Sequence, residues 1–468
     1  MIMHENIDGF AAESVPGCSG GAPRASRPTP QLHKPIVVLK FGGTSVATEA
    51  GRQAIALRVS EQRAAGKAPV VVVSAMGRLP DPYATDTLLG LVASETLSPD
   101  QLDLLASCGE VISALVVASQ LQASGIDTEA LTGAAAGILT DENFGAATIQ
   151  SIMTAPIEAR CARGCVPVVC GFQGMAPSGR LTTLGRGGSD TTASALGVAL
   201  GAEAVVIYTD VDGVMTADPR QAPAAEVIDT IRADELFQMA QRGSKVVHTP
   251  AAELALASGV TLLVKNTYSE HPGTRVADIA AYHPGALATA VASTRDVVRF
   301  TVELGGDEGA VRHLHTQAGI YRRLAEASVS LDMFTPAGEK LYFTVKQTDR
   351  AAVREVLTGL SLTFEQQGEL AVATVIGAGM HGVPGVMARI ATALEDAGID
   401  IYQVADSHNT ISVLIASEHE DGAVRALHAA FELGGDATQE ETPAESGLPR
   451  SACGLARNDK EEKGADDA

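Results

Sequence analysis

The sequence predicts an α/β protein, with one large domain on a mainly parallel sheet followed by two small ferredoxin-like βαββαβ modules. Three observations carry this. Between residues 35 and 280, short apolar runs rich in β-branched residues alternate with helical stretches, the pattern of strands buried on both faces. The order then changes to β-α-β-β-α-β, and that order occurs twice at a constant offset of 70 residues, which marks an internal duplication. Hydrophobic residues make up 46% of the 468, ample for packed cores and too many for a disordered chain. Aromatics are only 4%, with no Trp, so the cores must be built from Ala, Val, Leu and Ile.

Residues 1–34 are rich in Gly, Pro, Ala and Ser and read as a flexible arm. The large domain, 35–280, opens with the strand IVVLK (36–40), a Gly-bearing turn and a helix over 48–65. VVVVSAM (70–76) follows, with helices over 84–94 and 101–124. VPVVCGF (166–172) leads through a loop to a helix over 189–201, and AVVIYTD (204–210) and TLLVKNTYS (261–269) complete the strands. The first small module, 281–365, runs VVRFTVE, a helix near 316–327, SLDMF, a turn at TPAGEK, LYFTVK, a helix near 350–358 and SLTFE. The second, 366–435, runs AVATVI, a helix near 384–397, IDIYQVAD, a turn at SHNT, ISVLIA and a helix over 422–432. Ala327-Ser328-Val329 aligns with Ala397-Gly398-Ile399, and Phe343 with Val413. Two copies are too few for a solenoid and read as a paired regulatory or dimerising unit. Residues 436–468 carry nine acids against four bases and read as a solvated acidic tail.

Charge and composition exclude several function classes. Acids outnumber bases 56 to 34, a net charge of −22, so the surface repels nucleic acid, whose binding needs Lys and Arg against phosphate. No apolar run approaches the ~18–20 residues of a membrane span. The start, MIMHENIDGFAAESVPGCSG, has neither a basic nor an apolar leader region, so no secretory signal is expected. Six Cys are too few for a disulfide scaffold at this length. Cys161, Cys165 and Cys170 lie close together without the CxxC pair or neighbouring His of a zinc site, and read as buried free thiols. A cytoplasmic protein is expected.

Three segments carry chemistry. Lys40-Phe41-Gly42-Gly43-Thr44-Ser45 ends the first strand. Two glycines there let backbone N–H groups approach a phosphate at a helix N-terminus, and Lys40 adds a compact positive charge. The alternative is a tight βα turn beside a lysine whose stem covers apolar surface. In TTLGRGGSDTT (182–192), three glycines surround Arg186, which suits backbone passing close to a ligand and a planar fork for a carboxylate. Ser189 or Asp190 can also cap the helix that follows. In Tyr208-Thr209-Asp210-Val211-Asp212-Gly213, carboxylates stand at a strand's C-terminal end, where open α/β sheets bind ligands. Some of these carboxylates serve the turn itself. There is no Walker phosphate loop. GAGMHG (377–382), with Asp400 beyond it, is a formal GxGxxG. The strand after it returns as a hairpin, and too little chain remains for a doubly wound sheet, so it reads as a Gly-rich loop opening a helix for a small ligand.

KFGGTS (40–45), SAMG (74–77), TDTLL (85–89), SCGE (107–110), GFQG (171–174), TTLGRGGSDTT, YTDVDGVMTADPR (208–220) and GSKVVH (243–248) together resemble the aspartate kinase family. They span the large domain in the family's order, and the paired modules resemble ACT domains. DPYATDTLL is most similar to the monofunctional bacterial branch. The resemblance implies an amino-acid-kinase-like sandwich that uses ATP and Mg²⁺ to phosphorylate the β-carboxylate of L-aspartate. The product, 4-phospho-L-aspartate, leads to lysine, methionine, threonine and diaminopimelate. It implies Lys40 and Asp190 as catalytic, with Lys40, Phe41, Gly42, Gly43, Thr209, Asp210, Arg220 and Lys245 at the nucleotide. Ser45, Thr85, Glu110, Arg186, Ser189 and Asp190 would hold the substrate, and no side chain is assigned to metal. It further implies feedback by lysine, threonine or diaminopimelate, and a homodimer or larger assembly. Met215 stands where many relatives carry Tyr near the nucleotide, and SLDMFTPAGEK departs from the usual effector-site wording. A kinase acting on glutamate or acetylglutamate, a non-catalytic amino-acid sensor and a truncated regulatory subunit are the competing readings. Intact Lys40, Glu110, Arg186, Asp190 and Asp210 favour the enzyme.

Overall fold

The computed structural model describes residues 34–434 except 94, 244–248, 278–286, 305–309 and 381. Four apolar residues, Ile36 to Leu39, precede Lys40 in strand β1 (Ile36–Phe41), and all four are buried. Only the interior of a sheet accepts such a strand. Its partners in chain order are β2 (Ala68–Val73), β3 (Thr128–Leu131), β6 (Val166–Cys170), β9 (Ala204–Thr209), β10 (Thr230–Arg232), β11 (Thr261–Asn266) and β12 (Thr274–Ala277). They lie in the order β10-β12-β11-β9-β1-β2-β6-β3. All neighbours are parallel except β11 and β12. A four-stranded sheet of β4 (Ile138–Thr140), β5 (Ile149–Ile152), β7 (Gln173–Met175) and β8 (Leu181–Thr183) sits beside it. That sheet is new relative to the sequence reading.

The main sheet is covered on both faces. Val37, Leu39 and Phe41 pack with α1 (Gly43–Ala47), α2 (Glu49–Ala64) and α4 (Pro99–Ala123) through Val46, Ile55, Val59, Val117 and Leu121. Ile36 and Val38 point the other way, onto α5 (Ala155–Ala162), α6 (Gly188–Ala199), α7 (Ala233–Gln241) and α8 (Thr249–Ala257) through Ile157, Leu196, Leu236, Met239 and Ala255. The predicted helix over 84–94 shrinks to α3 (Thr85–Leu89), against α4.

By length and composition α4 is apolar enough to cross a bilayer, which the count of apolar runs did not anticipate. Its Ala114, Val117, Ala118 and Leu121 instead pack on the sheet, and it buries Asp103 and Glu110, so it is a core helix. Cys161, Cys165 and Cys170 are buried free thiols, and Cys108 is free and exposed. Burial raises the Cys161 and Cys170 pKa values to about 11 and about 12, which keeps both protonated and unreactive.

The two small modules share one six-stranded antiparallel sheet. It contains β13 (Ala290–Glu303), β14 (Asp332–Ala337), β15 (Lys340–Lys346), β16 (Phe364–Ile376), β17 (Gln403–Asp406) and β18 (Thr410–Ala416), in the order β14-β15-β13-β16-β18-β17. Helices α9 (Ala310–Glu326) and α10 (Arg350–Gly359) pack on its first half. Helices α11 (Val386–Asp396) and α12 (Glu420–Ala430) pack on its second. The 70-residue offset is visible in three dimensions: β15 and β18 are both seven residues long. Ser328 and Gly398, which follow α9 and α11, both adopt positive φ, 57° and 67°.

The duplication is nevertheless not two separable beads. SLTFE and AVATVI, read as strands of different modules, are one continuous β16. Likewise β13 pairs with β15 over 297–303, while its first residues, 290–294, pair with 372–376 of β16. The 365/366 boundary thus falls inside a strand. The 280/281 boundary, the arm up to residue 33 and the tail lie outside the described residues.

This sheet is bonded to the large domain. Buried Glu235, on α7, accepts from the Thr289 hydroxyl at 2.8 Å and from the Ala378 N–H of the GAGMHG loop at 2.9 Å. Thr216 hydrogen-bonds His428 of α12 at 2.9 Å. Burial depresses the His428 pKa. The GAGMHG loop therefore packs against α7 of the large domain through Ala378, and a Cβ on Gly377 would lie 2.5 Å from the Ala288 backbone.

Candidate active site

From β1 the chain steps through β2 to β6 on one side and later through β9 to β11 on the other. Such a reversal opens a crevice at the carboxyl ends of the strands, and a cleft of about 430 Å³ lies there, a size suited to small ligands. Lys40 enters it from the end of β1, Ser74, Ala75 and Gly77 from the loop after β2, and Phe172 from the turn after β6. Thr85 comes from α3, Glu110 from α4, and Arg186, Ser189 and Asp190 from the glycine loop and first turn of α6.

Alternation along β1 aims Lys40 toward α6. Its Nζ lies 2.7 Å from Asp190 Oδ1, with the two side chains 13% and 12% exposed. The lysine is thus held in place by its own counter-ion at the cleft wall. Gly43 is fixed by close approach: a Cβ there would lie 2.6 Å from the Ala75 carbonyl oxygen and 2.7 Å from that of Gly77. Gly187 caps α6 at φ +71°, a left-handed conformation open to glycine.

Glu110 is the most perturbed group. It is 2% exposed and its Oε1 accepts from the Ala75 N–H at 3.0 Å. Its Oε2 is buried with no hydrogen-bond partner among the described residues. Burial raises the pKa to about 8, against the smaller downward pull of the Ala75 amide. Without ligand it is therefore largely protonated at neutral pH.

Seven of the sequence-chosen residues line this cleft: Lys40, Gly43, Thr85, Glu110, Arg186, Ser189 and Asp190. Gly42 adjoins it, with its Cβ position 3.6 Å from Lys40 Nζ. Three others have side chains that do not line it. The Phe41 ring is fully buried and stacks on Tyr208 at 4.7 Å between centroids, because its parity on β1 points it into the core. Ser45 is fully buried and bonds the Thr267 hydroxyl at 2.7 Å, tying α1 to the end of β11 and facing away from the cleft. Arg220 is 88% exposed, and its guanidinium folds back on Asp218, 3.0 and 2.5 Å away. Thr209 and Asp210 stand together at the end of β9, joined side chain to side chain at 3.1 Å. Lys245 lies outside the described residues.

Phe172, Gly145 and Asp103 were not singled out from the sequence. Phe172 carries a positive φ of 69°, an uncommon conformation for a bulky residue. It lines the cleft, as does Gly145.

Comparison with known proteins fits this geometry. The Amino acid kinase family pattern matches residues 35–266, and an ACT domain pattern matches 367–429. Aspartokinase 1 of Bacillus subtilis is 39% identical over 405 residues, covering 85% of this chain and 99% of its own. The chain belongs to the aspartokinase family. The Mycolicibacterium smegmatis aspartokinase is 38% identical over 418 residues, covering 86% of this chain and 97% of its own. Among solved structures, E. coli aspartokinase III in complex with aspartate and ADP (R-state) superposes with a TM-score of 0.70. Its sequence identity is 26%, over 84% of this chain and 99% of the other. The same aspartokinase with lysine and aspartate (T-state) gives 0.68 at 26%, over 85% and 99%.

Proposed function

We infer that this chain is an aspartate kinase. It transfers the γ-phosphoryl group of ATP to the β-carboxylate of L-aspartate, giving 4-phospho-L-aspartate and ADP. The observation that carries the reading is the convergence of the Lys40–Asp190 pair, Arg186 and the unpartnered Glu110 oxygen on one cleft. These groups complement an amino acid that bears two carboxylates and one ammonium.

The chemistry follows from charge. A carboxylate is already an anionic nucleophile, so no strong base is required, and the difficulty is bringing two anions together in line. Arg186 takes the α-carboxylate as a planar fork, and Glu110 takes the ammonium. Thr85 and Ser189 border the same end. The β-carboxylate is left facing Lys40, whose ammonium neutralises the phosphoryl oxygens while Asp190 fixes its position. The new carboxylate O–P bond forms as the bond to the β,γ-bridging oxygen breaks, and ADP leaves with that electron pair. The Gly42 and Gly43 segment receives the phosphates, and Thr209, Asp210 and Lys245 hold the nucleotide.

Among the described residues no three His, Cys, Asp or Glu side chains converge as a metal cage. Mg²⁺ keeps waters and takes one or two carboxylates plus substrate phosphates; Asp190, which lines the cleft, and Asp210, just beyond β9, are the carboxylates that would hold it. When bound, Mg²⁺ supplies further neutralisation of the phosphate charge. ATP as donor supports a cytoplasmic site for the reaction.

Aspartate and glutamate differ by one methylene, worth ~1–3 kcal/mol of discrimination. Incubation with ATP and hydroxylamine is expected to trap aspartyl hydroxamate, with ADP formed in step. Hydroxamate from glutamate alone overturns the reading, and ligand binding without ADP from either acid assigns a sensor. In the same assay lysine, threonine or diaminopimelate, singly or together, is expected to inhibit through the ACT sheet. Unchanged activity with all three removes feedback from the proposal. Strands β14 and β17 meet through Gln403, which donates to Met333 and Thr335, and their Phe334 and Val404 side chains are 60% and 38% exposed. Exposed apolar side chains here favour pairing of chains into a homodimer or larger assembly, which sedimentation measures.

A further inference from the structure

We propose that Asp103 is a positioning residue for the aspartate end of the cleft, setting the placement of Arg186 from outside the site. The proposal rests on the aspartate kinase reading. Asp103 lies seven residues before Glu110 on α4, two turns along the same face of the helix. Glu110 reaches the cleft, and Asp103 reaches the loops that form its opposite wall. It is 3% exposed, and a buried carboxylate is costly unless its oxygens are well bonded. The donors come from two loops. Oδ2 accepts from the Thr183 N–H at 2.8 Å and from the Gly145 N–H at 3.0 Å, and Oδ1 accepts from the Thr183 hydroxyl at 2.7 Å.

Both tethered segments lead into the site. Gly145 lines the cleft, and Thr183 ends β8 three residues before Arg186. The segments also touch: a Cβ on Gly185 would lie 3.2 Å from the Gly145 carbonyl oxygen. Beyond Thr183, the Leu184 N–H donates to the Phe172 carbonyl at 2.9 Å. The backbone then enters left-handed conformations at Gly185 and Gly187, on either side of Arg186. Two permissive residues flanking the arginine give its backbone wide freedom. The fixed point on the N-terminal side is thus the Asp103–Thr183 clamp, and on the C-terminal side it is α6. Loss of the clamp loosens the carboxylate fork and leaves the nucleotide end, at β1 and β9, untouched.

The test is steady-state kinetics of full-length wild type, Asp103→Ala, Asp103→Asn and Thr183→Val, each with a thermal melt. Asp103→Ala is expected to raise the KM for aspartate by roughly tenfold or more, as misplacement away from the chemistry does. The KM for ATP is expected to stay within about twofold. Asp103→Asn is expected to restore most of the aspartate KM. Its amide oxygen accepts both N–H groups, and its NH₂ donates to the Thr183 hydroxyl. Thr183→Val, which removes one of the three bonds, is expected to fall between them and decides the matter if the alanine variant does not fold. Parallel rises in both KM values, or a lowered melt with unchanged aspartate KM, overturn the proposal. Wild type that makes no aspartyl hydroxamate overturns instead the reading on which it rests.

Discussion

Lys40→Ala is expected to lower kcat by roughly 10³-fold, the scale seen when one preorganised charge at a transition state is removed. Lys40 Nζ stands 2.7 Å from Asp190 Oδ1, and its removal acts twice. It withdraws the cation that faces the transferring phosphoryl group, and it leaves the Asp190 carboxylate, 12% exposed, repelling the incoming phosphates. The second effect separates the variants. Lys40→Ala combined with Asp190→Ala is expected to cost less than the sum of the two single losses, because the residues act as a pair. The fold should persist, since both side chains lie at the cleft wall and not in either apolar layer. Stopped-assay kinetics with a melting curve for each variant check this. A Lys40→Ala enzyme that retains more than about a tenth of wild-type kcat, a loss of only ~1.4 kcal/mol, removes Lys40 from the mechanism.

Glu110→Gln is expected to separate substrate binding from stability, with opposite signs. Burial raises the Glu110 pKa from 4.5 to about 8, so the fold favours the protonated form. The stability linked to this group is present in full below pH 4.5 and is lost as pH rises through about 8. The glutamine, neutral at every pH, escapes that loss. Its melting temperature should match wild type near pH 4 and exceed it above pH 8. The gain is roughly 2–4 °C per kcal/mol for a domain of this size. Binding runs the other way, because the ammonium of aspartate needs the carboxylate. The wild-type KM for aspartate should fall as pH rises toward 8, and aspartate binding at pH 7 should release a proton. In Glu110→Gln the KM should be raised roughly 10²-fold, the cost of removing one partner of a buried charge pair, and lose that pH dependence. A variant whose KM keeps the wild-type pH profile shows that another group titrates.

The sheet that carries the cleft was legible because its strands are continuous β-branched runs. VVVV in β2 and AVVIYT in β9 are rich in valine and too short for helices of ordinary length, which decides for strands. The four-stranded sheet was not legible: ILT, QGM and LTT are three residues each, too short to show a period of two. Motif membership located the site but not the direction of each side chain. Within KFGGTS, Lys40 and Phe41 are neighbours on a strand and must point to opposite faces, and the first turn of α1 rotates Ser45 inward to Thr267. Arg220 stands apart from the cleft because an arginine two residues after an aspartate has a partner at hand in Asp218. Asp103 left a signal that went unused. An acid seven residues before Glu110 in the same helix lies on the same face, and a buried acid needs a reason to be there.

Strand β16 has a mechanical meaning. Thirteen residues at about 3.3 Å each carry it over roughly 40 Å through both halves of the regulatory sheet, with an irregularity near its middle, where Glu369 is left-handed and the register with β13 shifts. Its neighbour β13 pairs with it in both halves, over 290–294 and again over 297–302, and with β15 over 297–303. Its last residue, Ile376, is followed by Gly377 and then by Ala378, whose amide is bonded to Glu235 of α7. The duplicated halves are therefore joined through one strand, which also reaches the large domain. Grafting one of them from a relative would mean splicing a shaft in mid-span.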